Sequence, residues 1–319
     1  MSFDFDAAVT TPFRMQPGLR KLPAGATHLT PVAPGARHQR EKLAVLSAFA
    51  GQALQVQQGF DASAALHTLS QTAATEHPGH WAWDGAEAQS LSLGVAVRAG
   101  QVRTFSAGSF GLGDEISRCL LTLEERWRQT ALLSLSFAED FAVLNAADGT
   151  IPWIAVALPS FWAPEEKVGH HFTQVHAPVA DNSLLIKAAP ALIGMVAGPD
   201  PWERFVWTIT AHPRLNAHPA QVDPTRWGDT DERTLSARAW WRSERQTFLP
   251  VTGATSQPRQ ALFTIAVDVQ PLAALLQEPG RARSVLSAVS TMSDAVLEYR
   301  GLLPVREPLL DWLARCAAR

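Results

Sequence analysis

The apolar spacing of this chain changes period twice, and that change limits the available folds more than any single residue does. From Glu41 to about Thr75 the segments "KLAVLSAFAGQAL" and "SAALHTLSQTA" repeat at helical spacing, which predicts two helices. "SLSLGVAVRAG" (90–100), "QTALLSLSFAEDFAVLN" (129–145), "IPWIAVALPS" (151–160), "FVWTITAH" (205–212) and "QALFTIAVDV" (260–269) are short and bounded by turns. Their β-branched and aromatic content predicts strands. Between two of them, "AADGT" (146–150) is a hairpin signal, because Asp-Gly readily takes positive φ. Beyond residue 270, "PLAALLQ", "ARSVLSAVSTM" and "EPLLDWLARCA" return to helical spacing. The pattern predicts an α+β fold with a mostly antiparallel sheet and flanking N- and C-terminal helices. "MQPGLRKLPAGATHLTPVAPGARHQ" (15–39) is rich in Pro and Gly, so residues 1–40 read as an irregular arm over a core and 41–319 as one domain.

Charge and cysteine usage exclude several roles. With 27 basic against 30 acidic side chains, the chain lacks the field that holds a phosphate backbone, so no nucleic-acid partner is expected. "MSFDFDAAVTTPF" has no basic and apolar leader pattern, and no run approaches about 20 apolar residues, so we expect no membrane span and a cytoplasmic location. Cys119 and Cys316 are the only cysteines. They are too few for a Cys-ligated iron–sulfur cluster, which takes about four thiolates, so any electrons must be brought by another protein. There is no P-loop, no HExxH and no CxxCH, and a haem here is therefore expected to be non-covalent. "GSFGLG" (108–113) lacks dinucleotide-fingerprint spacing and reads as a turn. "ALPSFWAP" lacks the glycines of a nucleophile elbow, so Ser160 reads as a helix start.

"PEEKVGHHFTQVHAPV" (164–179) places three histidines within seven residues. The spacing predicts one helix from Ser160 to Pro178, with Glu165 and Glu166 at its positive end. At about 100° per residue, Val168, Phe172, Val175 and His176 share the apolar stripe, while His170 and His171 fall outside it. His176 therefore points inward. Two readings of that position stay open: a buried axial ligand with a neutral imidazole, or a core histidine bonded to a backbone carbonyl.

Several fragments in order resemble the haem-dependent oxidative N-demethylase family. "PSFWAPEEKVGHHFTQVHAPV" is similar to its Trp-x-Pro-x-Glu-Lys-x-Gly…Ile-His-x-Pro-Val segment, with "AEDFAVLN" before it and "WERFVWTI", "RSERQTFLPV…ALFTI" and "EYRGL" after it. These span Ala138 to Leu302. The resemblance implies a PAS-like fold, a non-covalent b-type haem bound through His176, and O2-dependent removal of an N-methyl group from a small secondary amine as formaldehyde. It implies electrons from a separate NADPH-linked flavin and iron–sulfur reductase. The family's Arg-x-Asn-Trp element reads Arg204-Phe205-Val206-Trp207 here, so valine replaces asparagine.

Within the matching segments, Lys167, Arg204, Arg242 and Arg245 are candidates to hold the haem carboxylates, since guanidinium forks suit them. Trp207, with Trp162, is a candidate for contact with cofactor or methylated amine. Glu139 and Asp140 follow an apolar run and are candidates to bind the substrate ammonium or relay protons. The alternative class is a PAS-like haem or small-molecule sensor without turnover. The absence of a coiled-coil heptad or a second, output domain weighs against it.

Overall fold

The computed structural model describes residues 3–108, 110–223, 225–228, 232–251 and 259–318. Eleven strands occur among them: β1 (Arg20–Lys21), β2 (Leu54–Val56), β3 (Trp81–Trp83), β4 (Glu87–Ser90), β5 (Val95–Arg98), β6 (Gln101–Thr104), β7 (Glu139–Asn145), β8 (Trp153–Ala155), β9 (Trp202–Thr210), β10 (Trp240–Pro250) and β11 (Gln260–Pro271). They form a seven-stranded sheet in the order β1-β9-β10-β11-β7-β8-β2 and a four-stranded meander, β3 to β6. The strand pairings are antiparallel. The expected α+β architecture is observed, with helices Arg37–Ala48 and Ser63–Glu76 on the N-terminal side and Arg281–Ser290 and Arg306–Ala317 on the C-terminal side.

β7 and β8 form the predicted hairpin, and the positive φ of its turn falls on Gly149, at 66°. A Cβ at that position would collide with the His171 ring, so the turn needs glycine for space as well as for conformation. The first half of 129–145 is not strand. Glu125–Ser136 is a helix buried over most of its last two turns, and only Glu139–Asn145 is extended. An apolar run buried on all sides has no periodicity to separate the two states. In 90–100 and 151–160 the extended parts are confined to β4–β5 and β8. "GSFGLG" includes Ser109, which lies outside the described residues; Phe110 to Gly113 form a turn.

Two large apolar cores, and a small third around Leu144, Ile193 and Ala261, lie against the large sheet. One gathers helices Arg37–Ala48, Ser63–Glu76 and Glu125–Ser136, the small sheet, β7 and β8, with Trp127 stacked on Trp153 at 6.0 Å. The other gathers the C-terminal helices around Trp207 and Trp241, whose rings stack 4.7 Å apart. The N-terminal arm closes onto this second core through Phe5 and Val9. It also pairs β1 with the edge strand β9, and Arg20 bridges Asp4 and Glu203. Among the described residues no helix is long and apolar enough to cross a membrane.

Candidate active site

One helix from Ser160 to Pro178 does not form. A 3-10 turn spans Pro164–Glu166, Gly169 takes φ +77°, and a single helical turn, Phe172–Val175, precedes His176. The break has a cause in pairing. Residues 169–172 bond back to the β7–β8 hairpin through Gly169 N–H to Ile151 O (2.8 Å), Ile151 N–H to His170 O (3.0 Å) and Phe172 N–H to Gly149 O (2.8 Å). His171 caps the turn, accepting from Thr173 N–H at 3.1 Å, while His170 is exposed. The Asn182 amide closes the other end by donating to His176 O and Ala177 O. Four residues between two caps thus fix His176 in place of the predicted helix.

His176 is half-buried, with its ring 4.1 Å from that of Phe172. Its Nδ1 lies 2.8 Å from Phe172 O, and a carbonyl only accepts, so Nδ1 carries the proton. Nε2 makes no hydrogen bond among the described residues and presents a free lone pair. Burial lowers the pKa to about 4, with the bond to Phe172 opposing and the charges of Arg204 and Lys167 reinforcing the shift. The imidazole is neutral at pH 7 and already in the tautomer that a ligand needs.

Strand periodicity sorts the remaining candidates. Register pairs Gln246 with Arg204, Glu244 with Val206 and Arg242 with Thr208, so these six share one sheet face. Arg204 forms no ion pair or hydrogen bond among the described residues, and its Nε is shielded from water without a partner. Burial pulls its pKa down, while Glu244 and Tyr299 pull it up. Glu244 accepts from Ser160 Oγ–H on one oxygen and from Gln246 Nε2 at 2.6 Å on the other. Tyr299, the single tyrosine, has its pKa raised by desolvation of its hydroxyl and by Glu244, with Arg300 and Arg204 opposing. Arg204, Glu244 and Tyr299 therefore form one electrostatic cluster, and the charge of the same Arg204 acts on His176. The charge of Lys167, half-buried, also acts on His176, and Lys167 has no anionic partner among the described residues.

The structure gives the other candidates from the sequence partners within the protein. Arg242 is 1% exposed and its donors go to Ser160 Oγ (2.7 Å) and the backbone oxygens of Arg214 (3.0 Å), Leu215 (2.8 Å) and Pro159 (3.1 Å). Burial pushes its pKa down to about 10, still charged at pH 7, and it has no free fork for an outside carboxylate. Arg245 points to the opposite face, where it pairs with Glu203 at 3.0 Å and donates to Thr27 O at 2.8 Å, tying the N-terminal arm to the sheet. Trp207 also faces away from Arg204. It stacks on Trp241 and donates to Ala8 O at 3.0 Å, while Trp162 packs on the other core, so the two make no joint cage. Glu139 and Asp140 are buried neighbours on β7 whose side chains leave opposite faces. Glu139 accepts from Thr30 N–H at 2.9 Å, and its pKa is raised by burial. Asp140 accepts from Leu158 N–H at 2.7 Å and lies 3.2 Å from Lys42 Nζ, off the hydrogen-bond line.

Glu244, Gln246 and Tyr299 went unnoticed in the sequence, and Ser160, read there as a helix start, instead bonds Glu244 and Arg242. The available signal was the alternation in "RSERQ" once 240–250 is taken as a strand: Arg242, Glu244 and Gln246 on one face, Arg245 on the other.

The residues fit a haem. A porphyrin brings four nitrogen ligands, so one neutral histidine with an open Nε2 suffices, and the cations Arg204 and Lys167 beside it lack partners. Among the described residues no three of His, Cys, Asp and Glu converge as they must to hold a bare metal ion. A separate small cleft between Val45, Ala53, Pro164 and His218 encloses about 10 Å³, room for about one water molecule. Comparison with protein families matches residues 114–310 to one described as "Haem-dependent oxidative N-demethylase, alpha subunit-like", a name that implies haem dependence and a partner subunit. That span covers well over half of the chain and contains His176, Arg204, Glu244 and Tyr299, and the protein belongs to this haem-dependent oxidative N-demethylase alpha subunit-like family.

Proposed function

We propose that this protein binds one b-type haem non-covalently through His176 Nε2 and oxidises an N-methyl group of a secondary amine to formaldehyde. The carrying observation is a neutral imidazole with a locked tautomer and a free Nε2, beside two cations without partners. Bound haem supplies the oxygen chemistry: one atom of O2 ends in formaldehyde and the other in water, with two electrons and two protons delivered. The electrons come from a separate NADPH-linked flavin and iron–sulfur partner, a reading supported by the "alpha subunit" description and by a total of two cysteines, too few to hold a cluster. Cysteines held outside any disulfide, Cys119 and Cys316, also support a cytoplasmic location. The return of β11 to pair with β7 supports a PAS-like sheet.

Each residue has a task that its surroundings allow. Lys167 meets a haem carboxylate as a point charge. Glu244 accepts the N–H of the substrate ammonium, since its two oxygens each retain lone pairs beyond Ser160 and Gln246. Arg204 opposes Glu244 in charge on the same face and so orients an amine toward the carboxylate. Val206, the cross-strand neighbour of Glu244, offers an apolar surface to the carbon substituents. Tyr299 keeps its proton at pH 7 and remains a donor at the edge of the cluster. Glu139 and Asp140 hold the arm and Lys42 in place and stay outside the reaction.

The test is formaldehyde release. Haem-loaded protein, reduced chemically or by a reductase, is given O2 and a panel of N-methyl amines. Formaldehyde equal to amine consumed is expected; none from any amine, with the haem reducible, makes the protein a haem-binding sensor.

A further inference from the structure

We infer that Ser160 and Arg242 are positioning residues that aim the Glu244 carboxylate at the amine. The inference rests on the reading of Glu244 as the amine site, and the strained turn at 160–161 carries it.

Phe161 has φ +65°, left-handed backbone that an aromatic residue rarely adopts. The turn is held there from several sides. Phe161 N–H donates to Ala217 O at 2.9 Å and Ala217 N–H to Pro159 O at 3.0 Å. Arg242 reaches under the turn to Pro159 O and across to Arg214 O and Leu215 O, and its guanidinium carbon lies 5.6 Å from the Phe161 ring centroid. The consequence is the direction of one hydroxyl. Arg242 Nε can only donate, and it donates to Ser160 Oγ at 2.7 Å. The one proton of Ser160 must then go elsewhere, and it goes to Glu244. With Gln246 on the second oxygen, the plane of the carboxylate is set.

The backbone oxygens and the Ala217 pairing hold the turn without help from the hydroxyl. Removing that hydroxyl therefore leaves the turn in place, releases the carboxylate and takes one acceptor from Arg242 Nε, whose other donors keep their backbone partners. Strain kept at a turn whose product is an aimed hydroxyl is the signature of a site rather than of packing alone.

The experiment uses full-length, haem-loaded protein and calorimetric titration with dimethylamine and with N-methylbutylamine, read beside haem content and melting temperature. Ser160→Ala is expected to keep haem and fold and to weaken amine binding about tenfold, and Ser160→Thr to restore it to within about twofold. Glu244→Gln is expected to weaken binding at least as much. If Glu244→Gln weakens binding and Ser160→Ala does not, positioning is overturned while the amine site stands. A loss in Ser160→Ala that threonine does not repair overturns it too, since that outcome is loss of packing. Unchanged binding in Glu244→Gln, or no binding of either amine by the wild type, overturns the amine-site reading and this inference with it.

Discussion

Arg204 and Glu244 leave the same face of neighbouring strands as diagonal neighbours, and no ion pair joins them. Glu244 is drawn toward Ser160 and Gln246, while Arg204 Nε stays shielded and unpaired. Opposite charges that close on each other neutralise; held apart in a half-buried setting, they keep room for a charged guest.

Arg204 consequently carries a desolvation cost that the charges of Glu244 and Tyr299 offset only in part. Arg204→Met is expected to leave haem-free protein as stable as wild type or more stable by about 1 kcal/mol, while weakening amine binding to the loaded protein. Urea unfolding of the haem-free form checks the first part, and a loss above about 2 kcal/mol contradicts it.

Arg242 should behave oppositely. Its bonds to Pro159, Arg214 and Leu215 join two loops, so Arg242→Met leaves buried carbonyl groups without donors. A loss of about 3–5 kcal/mol in unfolding free energy is expected, with or without haem.

Much of the architecture is legible from period alone: the helices at both ends, the β7–β8 hairpin and the long β9 and β11 follow from spacing and turn residues. Glu125–Ser136 was not, because burial on all sides erases periodicity. The turn bearing His176 was not either, since its boundaries come from pairing of 169–172 with 149–151, residues about twenty apart in sequence. The placing of His176 was legible, as an inward histidine before Ala-Pro that the structure shows half-buried. Glu244 was hidden because β10 carries Arg, Glu and Gln inside, and local polarity disguises a buried strand.

Glu76 gives the pH dependence. Burial works to raise its pKa, but hydrogen bonds from the His28 ring and from the backbone N–H groups of His28 and Leu29 outweigh it and leave it below its ordinary 4.5. A depressed carboxylate stabilises the fold above its unfolded pKa, and that stabilisation is lost as pH falls from about 4.5 through the folded value. Glu76→Gln is expected to cost about 1–3 kcal/mol at pH 7 and to flatten the acid slope below about pH 4.5 in unfolding measurements. A slope identical to wild type contradicts the assignment.

Val206 should set substrate preference. Next to Glu244, its methyl groups favour amines with apolar substituents, so Val206→Asn is expected to shift relative turnover toward small polar amines by about tenfold. Competition between dimethylamine and N-methylbutylamine, read by product ratio, measures it.

The most direct measurement is the Soret absorption of haem-loaded wild type beside His176→Ala, prepared under identical haem supply. The account predicts a histidine-ligated b-type spectrum in the wild type, and in the variant a loss or a marked shift of the band that added imidazole restores. A spectrum unchanged in His176→Ala, or a wild type that takes up no haem, contradicts it.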